Sequence, residues 1–184
     1  DQRQHIELTR DLGQRFNNKY QEVFTIPAPQ IIKSLAKIND LQDPNAKMSK
    51  SASSMAGVIE LLDSSDSIIK KFKSSVTDAG KEIIFDEQSK PGISNLLTIA
   101  SALSGKTIKD LENEYAGKGY GDFKLQVAEI AVEVINPIRI RTQELMADKA
   151  ALLQLLKNGA DKANQVASKT LADVYTALGL IKNG

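Results

Sequence analysis

From Asp40 to Ser54 the chain runs through Asp, Pro, Asn, Ser and Lys with hardly an apolar side chain. Such a stretch cannot cover a core, so it forms a loop, and it separates two different compositions. Before it, Ile6, Leu8, Leu12 and Phe16 give a partial helical stripe from Gln4 to about Asn17. Val23-Phe24-Thr25-Ile26 is β-prone and ends at Pro27, which predicts a short strand leaving into a loop. After the loop nearly everything reads as helix. Ser65 is placed to cap a helix of about 66–76, Lys81 to Phe85 is a small β-prone island, and Ile93 to Leu103 is helical up to Gly105. Thr107-x-x-Asp110 has the spacing of a capping box. A long helix from about Asp122 to Met146 sets Phe123, Val127, Ile130, Val134, Ile138 and Leu145 on one face, with a kink expected at Pro137. Asp148 caps a further helix that Gly159 ends, and a last helix from Asp161 to about Leu178 closes at Gly179. The predicted class is mainly α: a mixed α/β remnant to residue 51, then an all-helical module over 52–184.

Composition narrows the function. With 184 residues, 41% hydrophobic and 26% charged, the chain can bury an ordinary core, which excludes a disordered tail, a collagen-like rod and a disulfide-stapled mini-protein. Cysteine is absent, so there is no thiol nucleophile and no Cys-ligated metal, as suits a reducing compartment. No apolar run approaches the roughly 18 residues of a membrane span, and no secretory leader is visible. Twenty-four basic against 23 acidic side chains leave a net charge of +1, no electrostatic ground for non-specific DNA binding. That balance does not bar a nucleic-acid site built locally. Asp1, where a translated chain carries Met, points to a piece of something longer.

Lys47-Met48-Ser49-Lys50-Ser51 lies inside the polar loop. Two ammonium groups three residues apart, with hydroxyls between and beyond them, form a compact clamp for a polyanion such as a triphosphate. Each ammonium about 4 Å from a phosphate oxygen gains about 4 kcal/mol at an effective dielectric of roughly 20. A contact that tightens as charge moves onto leaving pyrophosphate lowers the barrier rather than merely strengthening binding. Lys/Ser loops are usually just solvated, but this five-letter string arises by chance on the order of once in ten thousand chains of this length.

The string is the second signature of class I aminoacyl-tRNA synthetases, and the chain resembles the bacterial tryptophanyl-tRNA synthetase family along its length. The resemblance runs through Asp1-Gln2-x-Gln4-His5-Ile6-Glu7-Leu8-Thr9-Arg10-Asp11-Leu12, Phe24-Thr25-Ile26-Pro27, Lys90-Pro91-Gly92-Ile93-Ser94-Asn95-Leu96-Leu97, Gly117-Lys118-Gly119-Tyr120-Gly121-x-Phe123-Lys124 and Asp161-Lys162-Ala163-Asn164-x-Val166-Ala167. It implies the C-terminal half of such an enzyme: 1–51 as the end of a Rossmann-like catalytic domain with the KMSKS loop, and 52–184 as a helical anticodon-binding domain with a C-terminal helix. Residue by residue, Asp1 would hold the ATP ribose, Gln2 the tryptophan amino or carboxylate group, and Ile38 would lie against adenine. Lys47 and Lys50 would grip the phosphates as the catalytic pair, with Met48, Ser49 and Ser51 shaping the loop. The implied substrates and partners are ATP with Mg2+, tryptophan and tRNA(Trp), in a cytoplasmic homodimeric parent with no membrane, no DNA and no protein-ligated metal. The class's first signature, with its paired histidines, is not in this chain, so the piece is expected to be inactive alone. After KMSKS the family often continues with Asp-Pro, whereas Ala52-Ser53 stands here.

Other candidates carry two readings each. Gly117-Lys118-Gly119-Tyr120-Gly121 lacks the Lys-Ser/Thr of a phosphate cradle and reads better as a turn between close helices. By the resemblance it falls in the anticodon-binding module, where Lys118, Tyr120 and Lys124 are candidates to meet RNA by charge and stacking. Lys162, Asn164 and Gln165 are candidates for anticodon contact or else a solvated helix start. His5, the only histidine, reads as structural. Two alternatives stay open beside the ligase: a non-catalytic helical tRNA-binding module, and the related tyrosyl-tRNA synthetase, since amino-acid specificity lies outside this half.

Overall fold

A computed structural model describes residues 3–30, 37–52 and 54–181. Among these residues there are six α-helices: α1 (Arg3–Lys19), α2 (Ser65–Lys73), α3 (Pro91–Ser104), α4 (Ile108–Glu114), α5 (Tyr120–Ala147) and α6 (Lys149–Leu178), with a 3-10 turn at Met55–Gly57. No strand occurs among them; the sole β pairing is one antiparallel bridge between Asn39 and Lys47. The chain divides into two compact units, one of Asp1–Ile31 with Leu145–Gly184, the other of Ile32–Glu144.

The second unit holds the core. α3 is apolar on nearly every face and buries Gly92, Ile93, Ser94, Asn95, Leu96, Leu97, Ile99 and Ala100. A helix buried all round needs firm punctuation at its ends. Pro91 supplies it at the start, and Gly105 ends the helix at φ 74, a conformation costly for residues with a Cβ. α4 begins on the expected capping box: Thr107 Oγ1 accepts from the Asp110 amide at 3.2 Å, and the Asp110 carboxylate accepts from the Thr107 amide at 3.3 Å. It packs on α3 through Leu111, and Tyr115 meets Phe123 of α5 with ring centroids 4.9 Å apart.

Several expectations are corrected here. Val23–Ile26 is not a strand. The backbone of its first two residues bonds instead to one side chain, the Asn17 amide, which accepts from the Val23 and Phe24 N–H groups and donates to the Phe24 carbonyl. The 81–85 island is not a strand either; the Phe85 N–H donates to Glu112 Oε1 at 2.6 Å. The cap of α2 is Ser64, not Ser65, and the helix stops at Lys73. On α5 the buried stripe is Phe123, Val127, Ala128, Ala131 and Ile135, whereas Val134 and Ile138 are exposed. Ala128 and Ala131 thus take buried positions on the stripe, between Val127 and Ile135. The helix continues through Pro137 to Ala147. Gly159 does not end a helix, because α6 runs unbroken to Leu178; one interior glycine costs about 1 kcal/mol, which does not break a long hydrogen-bonded ladder. Asp148 and Gly179 do cap α6 as expected.

Candidate functional site

The KMSKS segment is borne by a short hairpin in the second unit. Around the Asn39–Lys47 bridge, the Asp40 N–H donates to the Ala46 carbonyl at 2.9 Å and the Met48 N–H to the Ile38 carbonyl at 3.0 Å. Extended backbone sends successive side chains to opposite faces. Lys47 is therefore exposed, while Met48 is half-buried and packs with Ile38 against the core. Beneath them lies an apolar cavity of about 220 Å3 lined by Ile38, Met48, Ile59, Phe72 and Ile135 among others. Beyond the hairpin a turn is closed by the Ala52 N–H on the Ser49 carbonyl at 3.1 Å. The Ser49 and Ser51 hydroxyls lie 3.0 Å apart, and the Ser51 N–H donates to Ser49 Oγ at 3.3 Å. Lys50 stands exposed on this turn.

The base of the hairpin is held by buried polar groups. Asp40, 8% exposed, accepts on Oδ1 from the N–H groups of Gln42 (2.7 Å) and Asp43 (3.2 Å). Its carboxylate lies against Gly57, where any Cβ would overlap it. Leu41 continues the connection, donating to the Gly57 carbonyl at 2.9 Å and accepting from the Val76 N–H at 2.8 Å. The Asn39 side chain donates to the Pro44 carbonyl at 2.7 Å, and the Asn39 backbone meets the amide of Asn95 on α3.

Of the residues singled out from sequence, Lys47, Met48, Ser49, Lys50, Ser51 and Ile38 come together on this hairpin and turn. Asp1 and Gln2 lie outside the described residues. The three candidates near the glycine cluster differ from one another. Lys118 is exposed, its Nζ 4.7 Å above the Tyr115 ring, on the edge of a groove of about 590 Å3 shared with Lys81, Ile84 and Glu112. The Tyr120 hydroxyl donates to Asp78 (2.9 Å) and accepts from Lys90 Nζ (2.9 Å). Lys124 is turned inward, donating to the Ser75 carbonyl at 2.7 Å, and burial lowers its pKa below an ordinary lysine's. Lys162, Asn164 and Gln165 are exposed in the interior of α6 of the first unit, and not at a helix junction as the sequence suggested.

Two charged clusters escaped sequence reading because no short motif marks them. In the first, Asp78, Lys90 and Tyr120 join a loop to the starts of α3 and α5. Burial works against the Asp78 carboxylate, but the Gly80 N–H, the Tyr120 hydroxyl and Lys90 outweigh it and hold it below the usual carboxylate range. The Tyr120 hydroxyl and Asp78 in turn raise Lys90. In the second, Lys71 reaches Asp63 and the Val58 carbonyl, each at 2.7 Å, with both side chains largely buried. Burial pushes Asp63 up, and the Lys71 contact, the Glu60 N–H and Ser67 bring it down further, to a lowered value. Among the described residues no three His, Asp or Glu side chains converge to hold a metal, and no helix is long and apolar enough to cross a membrane.

The hairpin and turn thus carry the Lys-Met-Ser-Lys-Ser string with Lys47 and Lys50 both exposed. Residues 1–136 match the family described as tRNA synthetases class I (W and Y), and the chain belongs to that family. Its relatives are bacterial tryptophan enzymes. The chain is 52% identical over 181 residues to tryptophan–tRNA ligase 2 of Streptomyces avermitilis, covering 98% of this chain and 54% of that protein. It is 48% identical over 180 residues to the tryptophan–tRNA ligase of Bacillus subtilis, with the same shares covered. The crystal structure of tryptophanyl-tRNA synthetase from Mycoplasma pneumoniae superposes with a TM-score of 0.81 at 33% identity, over 98% of this chain and 56% of that one. That of Campylobacter jejuni, complexed with ADP and tryptophan, gives 0.65 at 30%, over 97% and 55%. The chain thus spans about half the length of the curated relatives it matches.

Proposed function

We propose that the complete protein is a tryptophan–tRNA ligase, and that this chain supplies its phosphate clamp and part of its tRNA-binding surface. A carboxylate oxygen of tryptophan attacks the α-phosphorus of ATP, the bond to the β-phosphate oxygen breaks, and pyrophosphate leaves. The tryptophanyl group then passes to a terminal ribose hydroxyl of tRNA(Trp), releasing AMP. The observation that carries this reading is the outward placement of Lys47 and Lys50 on a hairpin whose stem is pinned to the core.

In-line attack at phosphorus needs positioning and charge stabilisation more than covalent help, and two ammonium groups aimed at the departing charge provide it. Magnesium enters as the nucleotide's own counter-ion. On this reading 1–51 is the end of a Rossmann-like catalytic domain and 52–184 the helical anticodon-binding domain. Asp1 and Gln2 serve the ribose and the amino acid, and Ile38 serves adenine. Lys118 and the exposed trio Lys162, Asn164 and Gln165 are the more accessible RNA contacts; Tyr120 and Lys124 have their polar atoms engaged within the protein. The complete protein acts in the cytoplasm as a homodimer.

Tryptophan-dependent exchange of pyrophosphate into ATP by the complete protein tests the proposal. Lys47→Ala and Lys50→Ala should each slow it by roughly 10²–10³, the scale of one lost transition-state donor, with the KM for tryptophan held. If both variants exchange at the parent rate, the clamp is refuted. The 184-residue chain by itself should show no exchange.

A further inference from the structure

Asn95 is 6% exposed on α3, within the Lys90–Leu97 string whose role the ligase reading leaves unassigned. Its side-chain Oδ1 accepts from the Asn39 N–H at 2.9 Å, and its Nδ2 donates to the Asn39 carbonyl at 2.8 Å. In the hairpin, Asn39 and Lys47 face each other as a pair that exchanges no bonds: the rungs are Asp40 to Ala46 on one side and Met48 to Ile38 on the other. In an antiparallel ladder that arrangement turns the N–H and C=O of residue 39 outward, away from residue 47, toward where another strand would lie. Among the described residues no such strand lies there, and a carboxamide, with one acceptor and one donor side by side, has the shape of the missing peptide group. Resting on the ligase reading above, we propose that Asn95 is the positioning residue of the phosphate clamp. Its buried amide stands in for a third strand and fixes the backbone of the stem directly opposite Lys47.

The consequence is specific to Lys47. Without the amide, two outward backbone groups at Asn39 lose their partners, the stem loses one of its two edges, and the rung carrying Lys47 opens more often. The neighbour Ser94 is a matched control. It is equally buried on the same turn of α3, and its hydroxyl accepts from the Asp86 N–H at 2.8 Å, away from the stem. Ser94→Ala costs a comparable hydrogen bond without touching residue 39.

Two measurements decide the matter. In limited trypsin digestion of this chain, Asn95→Ala should speed cleavage after Lys47 about tenfold or more, and Ser94→Ala should leave it at the parent rate. In pyrophosphate exchange by the complete protein, Asn95→Ala should lower kcat about tenfold or more while the KM for tryptophan holds, and Ser94→Ala should change neither once the folded fraction is matched. Asn95→Asp has the same shape and guards against a misfolded Ala variant. Ionised, it sets a carboxylate against the Asn39 carbonyl; protonated, it can donate to it. Its kcat relative to the parent should therefore recover as pH is lowered from 8 to 6, which a role in packing alone would not produce. Unchanged cleavage after Lys47 in Asn95→Ala, or equal effects of Asn95→Ala and Ser94→Ala, overturns the proposal. A complete protein with no exchange at all overturns the ligase reading, and the digestion then still decides whether Asn95 holds the stem.

Discussion

Gly57→Ala tests whether the hairpin base is a close-packed joint. Gly57 has an ordinary negative φ, so alanine's backbone preferences are not at stake. What stands in the way is Asp40: a Cβ built on residue 57 falls within the van der Waals shell of its Cγ and both carboxylate oxygens. Asp40 is 8% exposed and cannot simply swing into water, and its Oδ1 caps the N–H groups of Gln42 and Asp43. Relief must come by moving the carboxylate or by shifting the 3-10 turn, whose residue 57 carbonyl accepts from Leu41. Overpacking alone costs about 1–3 kcal/mol, and weakening two bonds to a charged acceptor adds about 1.5–3 kcal/mol, for an expected loss of about 3–5 kcal/mol. Asp40→Ala forfeits the same two bonds but opens the space, at an expected cost of about 3 kcal/mol. The double variant should then be no less stable than Asp40→Ala by more than about 0.5 kcal/mol, a coupling on the order of 3 kcal/mol. Urea unfolding at pH 7, followed by helical circular dichroism, measures all three against the parent. Additive losses would show that the two residues do not share a joint, and the description of the hairpin base would be wrong.

The remaining expectations concern charge. Asp63 and Asp78 both titrate lower in the folded chain than the ordinary value near 4, so their stabilisation is complete above about pH 4 and is lost as pH falls through the lower folded values. Asp63→Asn should therefore flatten the acid limb of stability below about pH 4 and lower stability at pH 7 by on the order of 2 kcal/mol; an unchanged acid limb refutes the assignment. Lys124→Met should destabilise by about 1–2 kcal/mol, because the Ser75 carbonyl loses its donor, while leaving the salt dependence of tRNA binding by the complete protein as it was. Lys118→Ala should do the reverse, reducing the slope of log affinity against log salt by about 1 with stability held; exchanged outcomes would mean that Lys124 and not Lys118 meets the RNA.

Local signals in the sequence were the most faithful guides to the fold. Gly105, the Thr107/Asp110 box, Asp148 and Gly179 mark helix ends in the structure because each acts through its own backbone or its nearest amides. The failures share a cause. Val23–Ile26 has strand-forming residues, but a strand needs a partner, and the group that satisfies it is the side chain of Asn17, which no propensity scale registers. On α5 the large side chains suggested one stripe, whereas the buried one includes the smaller Ala128 and Ala131 and leaves Val134 and Ile138 exposed. The candidate loop was legible from its five letters, but its supports were not. Asp40 and Asn95 looked like ordinary polar residues until their burial and partners were seen, and Asp78, Lys90 and Tyr120 meet only through the packing of three segments.

The hairpin also explains why hydroxyls separate the two lysines. In continuous extended backbone, residues 48 and 50 share a face, and the face of Met48 is the one that packs on the core. A strand carried on past Met48 would drive the Lys50 ammonium toward that apolar surface, where an unpaired charge is costly. The turn over Ser49–Ala52 resets the alternation, and the serines make it: Ser49 Oγ takes the Ser51 N–H, and the Ser49 carbonyl takes that of Ala52. Small hydroxyl side chains favour such turns because they bond their own backbone two residues on. So the segment's letters divide between two tasks. Methionine anchors the loop in the core, and the serines help bend the chain so that Lys50, like Lys47, is exposed. Apolar residues at 49 and 51 would retain both charges and the backbone bond from Ala52 to residue 49, but would remove the Ser49 Oγ bond to the Ser51 N–H that tightens the turn.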